Sequence, residues 1–368
     1  MRLAIAVALV ACGATDTHVQ PPSALPADAN ASVMTDAAAD PVDAAVAIVP
    51  QERWLRGSTH VHARPSGDSS TPIPDVIRWY ETHGYDFIVL TDHNRVSEVD
   101  PANNTGGKIW VSNPPSGLIV LAGMELTHNP NGCLPQGVPT GKCRIHVNVI
   151  GATARPGDKL DWADRRTKDR VAKYRSALAA AAALGGIAQL NHPQWFWGMT
   201  TDVLVEVARH GMLLYEVANT QFMKWQIGDK DHPSAEQLWD AALARGAKLW
   251  AVASDDAHDY DKPGKYPAGG GWIAVWARRD PQSILDAITA GRFYASTGVV
   301  LEHAEVDAGE LVVASADSAQ TIELIENGKL VATVKAKSAR RTLPASGYLR
   351  AVVTRSDGAK AWTQPVRR

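Results

Sequence analysis

The sequence predicts an α/β fold: a barrel-like core of helices and buried strands over residues 51–298, then a small antiparallel β-sandwich-like domain over 299–368. Three observations predict it. Three stretches share a helix–glycine–apolar-strand plan, "PDVIRWYETHGYDFIVLTDHN", "AKYRSALAAAAALGGIAQLNHPQ" and "SAEQLWDAALARGAKLWAVASDDAH". Their strands end in histidine and carboxylate residues. After residue 298 the pattern changes to short alternating runs with hairpin-turn dipeptides.

Taken in order, the chain of 368 residues begins with Arg2 before an apolar run from Leu3 to Ala11. That run is far shorter than the roughly 20 residues a spanning helix needs, and it reads as an export signal over 1–12. Leu9-Val10-Ala11-Cys12 resembles a bacterial lipobox, so lipidation at Cys12 and anchoring to the bacterial envelope are expected, at the outer membrane or in the periplasm. A plain signal peptide is the alternative. Residues 13–50 form a linker in which Ala, Asp and Pro supply 21 of 38 residues and no aromatic occurs. Such a segment has too little apolar surface to offset its ordering entropy, so disorder is expected.

The whole chain is 45% hydrophobic and 21% charged, an ordinary soluble composition. Net charge is −2, and five of the 39 acidic side chains fall before residue 51, so the rest is nearly neutral. No nucleic-acid partner is expected, because no broad basic surface is available. In each of the three repeated stretches the helical positions (Val76, Ile77, Tyr80; Tyr174, Leu178, Ala182; Leu238, Trp239, Ala242) precede a capping glycine, Gly84, Gly185 or Gly246. The runs "FIVL", "IAQL" and "LWAVA" suit strands buried on both faces of a parallel sheet. Two further runs, "GLIVLAGMEL" and "CRIHVNVIG", deliver Glu125 and His146. Polar residues at the ends of several parallel strands converge on one face, as in an α/β barrel. Cys133 and Cys143 lie in the Gly- and Pro-rich "NGCLPQGVPTGKC". In an exported chain such a pair bridges. Zinc binding is the alternative, but no further Cys lies nearby. In the tail, Asn327-Gly328 and Asp357-Gly358 mark hairpins.

The candidate ligands are His60, His62, Asp68, His93, Glu125, His146, His192, Asp256 and His258. In the order "THVHARPSGD", "LTDHN", "GMEL", "HVN", "LNHP", "SDDAH" they resemble the motifs of the polymerase and histidinol phosphatase (PHP) family of metal-dependent hydrolases, over about residues 55 to 300. The resemblance implies a distorted (β/α)7 TIM-like barrel and three divalent ions, Zn, Mn or Fe. His60, His62, Glu125 and Asp256 would hold the first, Glu125 with His146 and His192 the second, and Asp68, His93 and His258 the third. Imidazole and carboxylate without thiolate suit these metals. Metal-bound water ionises near neutral pH, so hydrolysis by metal-bound hydroxide needs no Ser or Cys nucleophile. Asp255 remains a rival to Asp256, and His128 a rival to His146.

Around the ligands, Asp92 is a candidate for orienting a ligand or protonating a leaving group, and Arg64 and Arg95 are candidates for gripping phosphate. Asn94, Trp195 and Trp197 are candidates for the pocket wall. The sequence therefore predicts a small-molecule hydrolase, first a phosphoesterase. A carbamate or amide hydrolase is the alternative, because the exported layout with "GRFYAST" and a β tail also looks like the carbaryl-hydrolase-like branch of the family. A non-catalytic envelope binding protein is the third reading. Oligomeric state is open.

Overall fold

The computed structural model describes residues 51–97, 117–260 and 264–368. The leader at 1–12 with Cys12, and the linker at 13–50, lie outside the described residues. The run Phe87–Leu90 shows how the apolar segments are used. Phe87 and Val89 enter one hydrophobic core, while Ile88 and Leu90 enter a second on the opposite face. All four are buried, and each such side chain contributes about 1.5–3 kcal/mol by leaving water. Neighbouring strands accept this run only through glycine. A Cβ on Gly57 would sit 2.2 Å from the Phe87 ring, and one on Gly123 would sit 2.6 Å from Val89 and 2.7 Å from the Val149 carbonyl.

The order is β1 (Arg53–Val61), α1 (Ile73–Thr82), β2 (Phe87–Leu90), β3 (Ile119–His128), β4 (Ile145–Ile150), α2 (Arg170–Ala183), β5 (Ile187–Leu190), α3 (Thr201–Arg209), β6 (Leu214–Asn219), α4 (Met223–Gln226), α5 (Ala235–Ala244) and β7 (Trp250–Ser254). There follow β8 (Trp272–Ala277), α6 (Pro281–Ala290), β9 (Phe293–Ser296), β10 (Leu301–Asp307), β11 (Glu310–Ser315), β12 (Gln320–Glu326), β13 (Lys329–Ala336), β14 (Ser338–Thr342), β15 (Leu349–Thr354) and β16 (Lys360–Thr363). The helices start where polar side chains can take up their free N–H groups. Asp169 accepts from Ala172 N at the head of α2, and Ser234 and Gln237 form a capping box on α5.

A (β/α)7 barrel does not form. Thirteen strands make one mixed sheet in the order β13-β12-β15-β16-β9-β8-β1-β2-β3-β4-β5-β6-β7, and β10, β11 and β14 make a second sheet. Among the described residues only six α-helices accompany sixteen strands. Parallel pairing is confined to β1–β2–β3 and β5–β6–β7. β4 is antiparallel to both its neighbours, and β8 is antiparallel to β1. The reason lies in the connections. A parallel crossover needs a dozen or more residues, usually a helix, to return the chain. Helices precede β2, β5 and β7, as the repeated stretches predict, but no helix separates β3 from β4. That link is instead the loop closed by the Cys133–Cys143 disulfide.

The sheet curls so that polar strand ends meet. Asn148 of β4 donates to Thr59 O at 2.9 Å, and His62 N donates to Ala257 O at 3.0 Å. Strands of the tail join the same sheet through β16 and β9. They are tied to α5 by Arg350, 1% exposed, which donates two hydrogen bonds to Asp240 at 2.7 and 2.6 Å and lies over the Trp239 ring. At the β7 end of the large sheet, Gln364 treats Ala251 as a strand partner: its side chain accepts from Ala251 N and donates to Ala251 O, both at 2.8 Å. Among the described residues no helix is long and apolar enough to cross a membrane.

Candidate metal centre

Three groups of side chains meet where the strand ends converge: His62, Asp68, His93 and His258; His60, His62 and Glu125; and Glu125, His146 and His192. Within each group the potential ligand atoms all lie within 4.8 Å of one another, so these buried groups could hold a metal ion. His62 and Glu125 are each shared by two groups. The strand geometry explains the supply. His60 and His62 are two apart at the end of β1, where alternate residues face one side, and on the paired strands β3 and β4 His146 lies two residues from Asn148, the partner of Glu125, and so on the same face.

Asp256 completes the arrangement. Its Oδ1 is 3.1 Å from His60 Nε2 and 3.2 Å from His62 Nε2. Yet both Nε2 atoms are buried and, among the described residues, have no partner in hydrogen-bond geometry. Buried polar atoms are rarely left so. Close approach without hydrogen-bond alignment is what two ligands of one cation show. Asp255 turns away: its carboxyl accepts from Ser58 Oγ, Tyr80 OH and Gly269 N at 2.9, 3.0 and 2.7 Å, and burial pushes it up to about 6. His146 Nδ1 is 2.9 Å from Glu125 Oε1, whereas His128 packs its ring against Trp162.

The charges are tightly coupled. Burial alone would raise the Glu125 carboxyl, but His146, His93 and His60 hold it well below the usual range. Asp256 is likewise held low by His60 and His62 against its burial. Asp68 accepts from His93 and His258, which keep it ionised although burial opposes this. Burial would lower His93, but Glu125 and Asp68 raise it to about 10. His60 is raised by Asp256, Glu216 and Glu125 in spite of its burial. Burial dominates at His62 and His146, lowering them to about 3 and about 4. A buried nest of carboxylates held ionised beside imidazoles is an electrostatic fit for divalent cations, which can take the place of the imidazole protons.

Several supporting residues were not read from the sequence. Glu216 of β6 is fully buried and accepts from His60 Nδ1 (2.7 Å), Ser254 Oγ (2.5 Å), Gln189 Nε2 (3.2 Å), His192 N (2.5 Å) and Asn219 Nδ2 (3.0 Å). With the Nδ1 proton on Glu216, His60 turns its Nε2 lone pair to the cavity. Asn191 donates to Glu125 at 2.9 Å, and Thr127 Oγ1 is within hydrogen-bond reach of both His93 Nδ1 and Glu125 Oε2, which are themselves 2.6 Å apart. The signal for Glu216 was available, since a carboxylate inside the apolar "LLYEVAN" follows the same rule as Glu125. His192 and Asp256 adopt left-handed backbone, φ 24° and 49°. Such conformations cost about 1–3 kcal/mol each and collect at functional sites.

The cleft over this cluster is lined by Asp68, His93, Glu125, His146, His192, Trp195, Phe222, Asp256, His258 and Tyr266. The other expected site residues lie elsewhere. Asp92 is fully buried behind the ligands, accepting from Ala63 N at 2.7 Å and from Ser97 Oγ, and burial pushes it up to about 6. Arg64 folds back onto Ser70 O at 3.2 and 3.1 Å, and Arg95 lines a separate surface pocket with Pro65 and Arg155. Asn94 is a structural bracket: it bonds both backbone groups of Thr127 and accepts from Trp162 Nε1. Trp195 does line the cleft, its ring edge-on to His146 and His192, whereas Trp197 stacks on His232 with centroids 4.3 Å apart. Nothing in the sequence marked Phe222 or Tyr266, which come from connecting segments. No family model matches the chain, and no curated protein matches it.

Proposed function

We propose that the protein is a metal-dependent hydrolase with a PHP-like site, acting on a small-molecule ester outside the cytoplasm from a lipid anchor at Cys12. The observation that carries the proposal is the convergence of Glu125 and Asp256 with His60, His62, His93, His146, His192 and His258, two of whose buried nitrogens have no hydrogen-bond partner among the described residues. Three divalent ions, Zn, Mn or Fe, are the proposed occupants, held by the ligand groups around His60, around His192 and around Asp68. When bound, such ions activate water and offset negative charge on the reacting group. The chain's own residues do the rest. Glu216 and Asn191 fix the ligands that face the cleft. Trp195 and Phe222, centroids 4.5 Å apart, shed water from one wall. Asp92, buried behind the ligands, orients the Ala63 backbone.

Phosphoester cleavage is the leading reaction, because clustered cations suit a group with several charged oxygens. A carbonyl substrate, carbamate or amide, is the second reading. One observation favours it: among the described residues no Arg or Lys lines the cleft, and Arg64 and Arg95 lie elsewhere. The test is elemental analysis of the purified chain, with turnover of p-nitrophenyl phosphate, bis(p-nitrophenyl) phosphate and 1-naphthyl N-methylcarbamate. Glu125→Gln should abolish both metal retention and turnover. A folded, metal-free wild type without turnover refutes the proposal and leaves a binding protein.

A further inference from the structure

Arg144 stands just outside the cleft. It immediately precedes β4, two residues before His146. Its guanidinium lies over the Trp195 and Phe196 rings, 4.8 and 4.9 Å from their centroids. Trp195 in turn meets His146 and His192 edge-on, at 5.6 and 5.2 Å. The guanidinium is half-buried. Nη1 donates to Cys143 O at 2.8 Å, but Nε is fully buried with no acceptor among the described residues. No carboxylate lies within ion-pair reach of it among the described residues, whereas Arg350, which also lies over a tryptophan ring, is matched by Asp240. The neighbouring cation Lys142 lies over Phe196 at 5.6 Å and adds to the positive potential there. The disulfide-closed loop fixes this arrangement: Gly137 abuts the backbone of Phe196–Gly198 so closely that a Cβ would fall 1.9 Å from Phe196 O.

A half-buried guanidinium with no carboxylate partner, held on an aromatic shelf, is a site for a planar oxyanion, gripped by its Nη donors while an attached ring lies along the shelf. We propose that Arg144 recognises a carboxylate carried on an aromatic or otherwise planar portion of the substrate, one ring's width from the bond that is cleaved. The proposal rests on the reading of this cleft as a hydrolytic centre, but its test does not need turnover. Benzoate and benzamide are titrated into the purified, metal-loaded chain and followed by tryptophan fluorescence. The wild type should bind benzoate about tenfold more tightly than benzamide, the size of one charge-assisted hydrogen bond. Arg144→Gln should lose that preference with its metal content unchanged, and Arg144→Lys should keep part of it. A wild type that does not prefer benzoate, or a preference that survives Arg144→Gln, overturns the proposal. Should Arg144→Gln fail to fold, the partial preference of Arg144→Lys decides, and a preference equal to the wild type's overturns it as well. Failure of the hydrolase reading appears separately, as absent turnover of the ester panel.

Discussion

Glu216→Gln tests whether the residue behind His60 builds the metal centre. The substitution keeps the size of the side chain and exchanges one oxygen for an NH2 group. All five contacts of Glu216 are donors. If the amide nitrogen replaces Oε2, His192 N and Asn219 Nδ2 lose their acceptor. In the other orientation His60 Nδ1 and Gln189 Nε2 lose theirs, while Ser254 can turn its hydroxyl. Either way two buried N–H groups lose this acceptor, at about 1–3 kcal/mol each, although Asn219 Nδ2 and Gln189 Nε2 keep second partners in Asp256 and Asn191. Against a total stability of about 5–15 kcal/mol that is a large but survivable loss. The exchange also unfixes the His60 tautomer, and outer partners of this kind are worth roughly 10–100-fold in metal affinity. Urea denaturation and zinc competition with a chromophoric chelator read the two effects separately. A variant that binds zinc with wild-type affinity and unfolds at the wild-type urea concentration would refute the reasoning.

Asp240→Ala strands the buried Arg350 guanidinium and should cost about 3–5 kcal/mol in urea denaturation, with metal content per folded molecule unchanged. Cys133→Ser opens a loop of sequence separation 10. It should lower stability by about 2–3 kcal/mol and increase the solvent exposure of Trp195, seen as a red shift in tryptophan emission. Metal affinity should rise with pH through the neutral range. In the metal-free site His93 is held protonated, its value raised to about 10 against its burial by Glu125 and Asp68. A cation must therefore displace that proton, and fewer protons compete as pH rises. Zinc titrations at pH 6 and pH 8 check the sign.

Most residues of the candidate site were legible because they end or interrupt an apolar run, a pattern that survives in one dimension; Asp68, in the loop "ARPSGDSS", carries no such mark. Three helix–strand units were legible for the same reason, since capping glycines and four-residue runs such as Phe87–Leu90 are local signals. The closure of the fold was not. Strand direction at β4 depends on a loop that turns back without a helix, and its residues carry no mark of which way the next strand runs. Arg64, Arg95 and Asn94 show a second limit. Adjacency to a ligand motif says nothing of side-chain direction, and these three are claimed by Ser70 O, by a separate surface pocket and by Thr127. Conversely Phe222 and Tyr266 reach the cleft by folding alone.

Gln364 has a consequence for how copies of this molecule meet one another. A terminal strand with bare N–H and C=O groups is a template on which a second chain can zip. By occupying the outward groups of Ala251, the glutamine amide acts as a one-residue decoy strand at that border. Among the described residues no strand pairs with the outer side of β13, the opposite border, where Lys329 and Lys335 are exposed and repel a like strand. Copies of this molecule meeting edge to edge would be kept from fusing by burial at β7, where Gln364 already holds Ala251, and by lysine charge at β13.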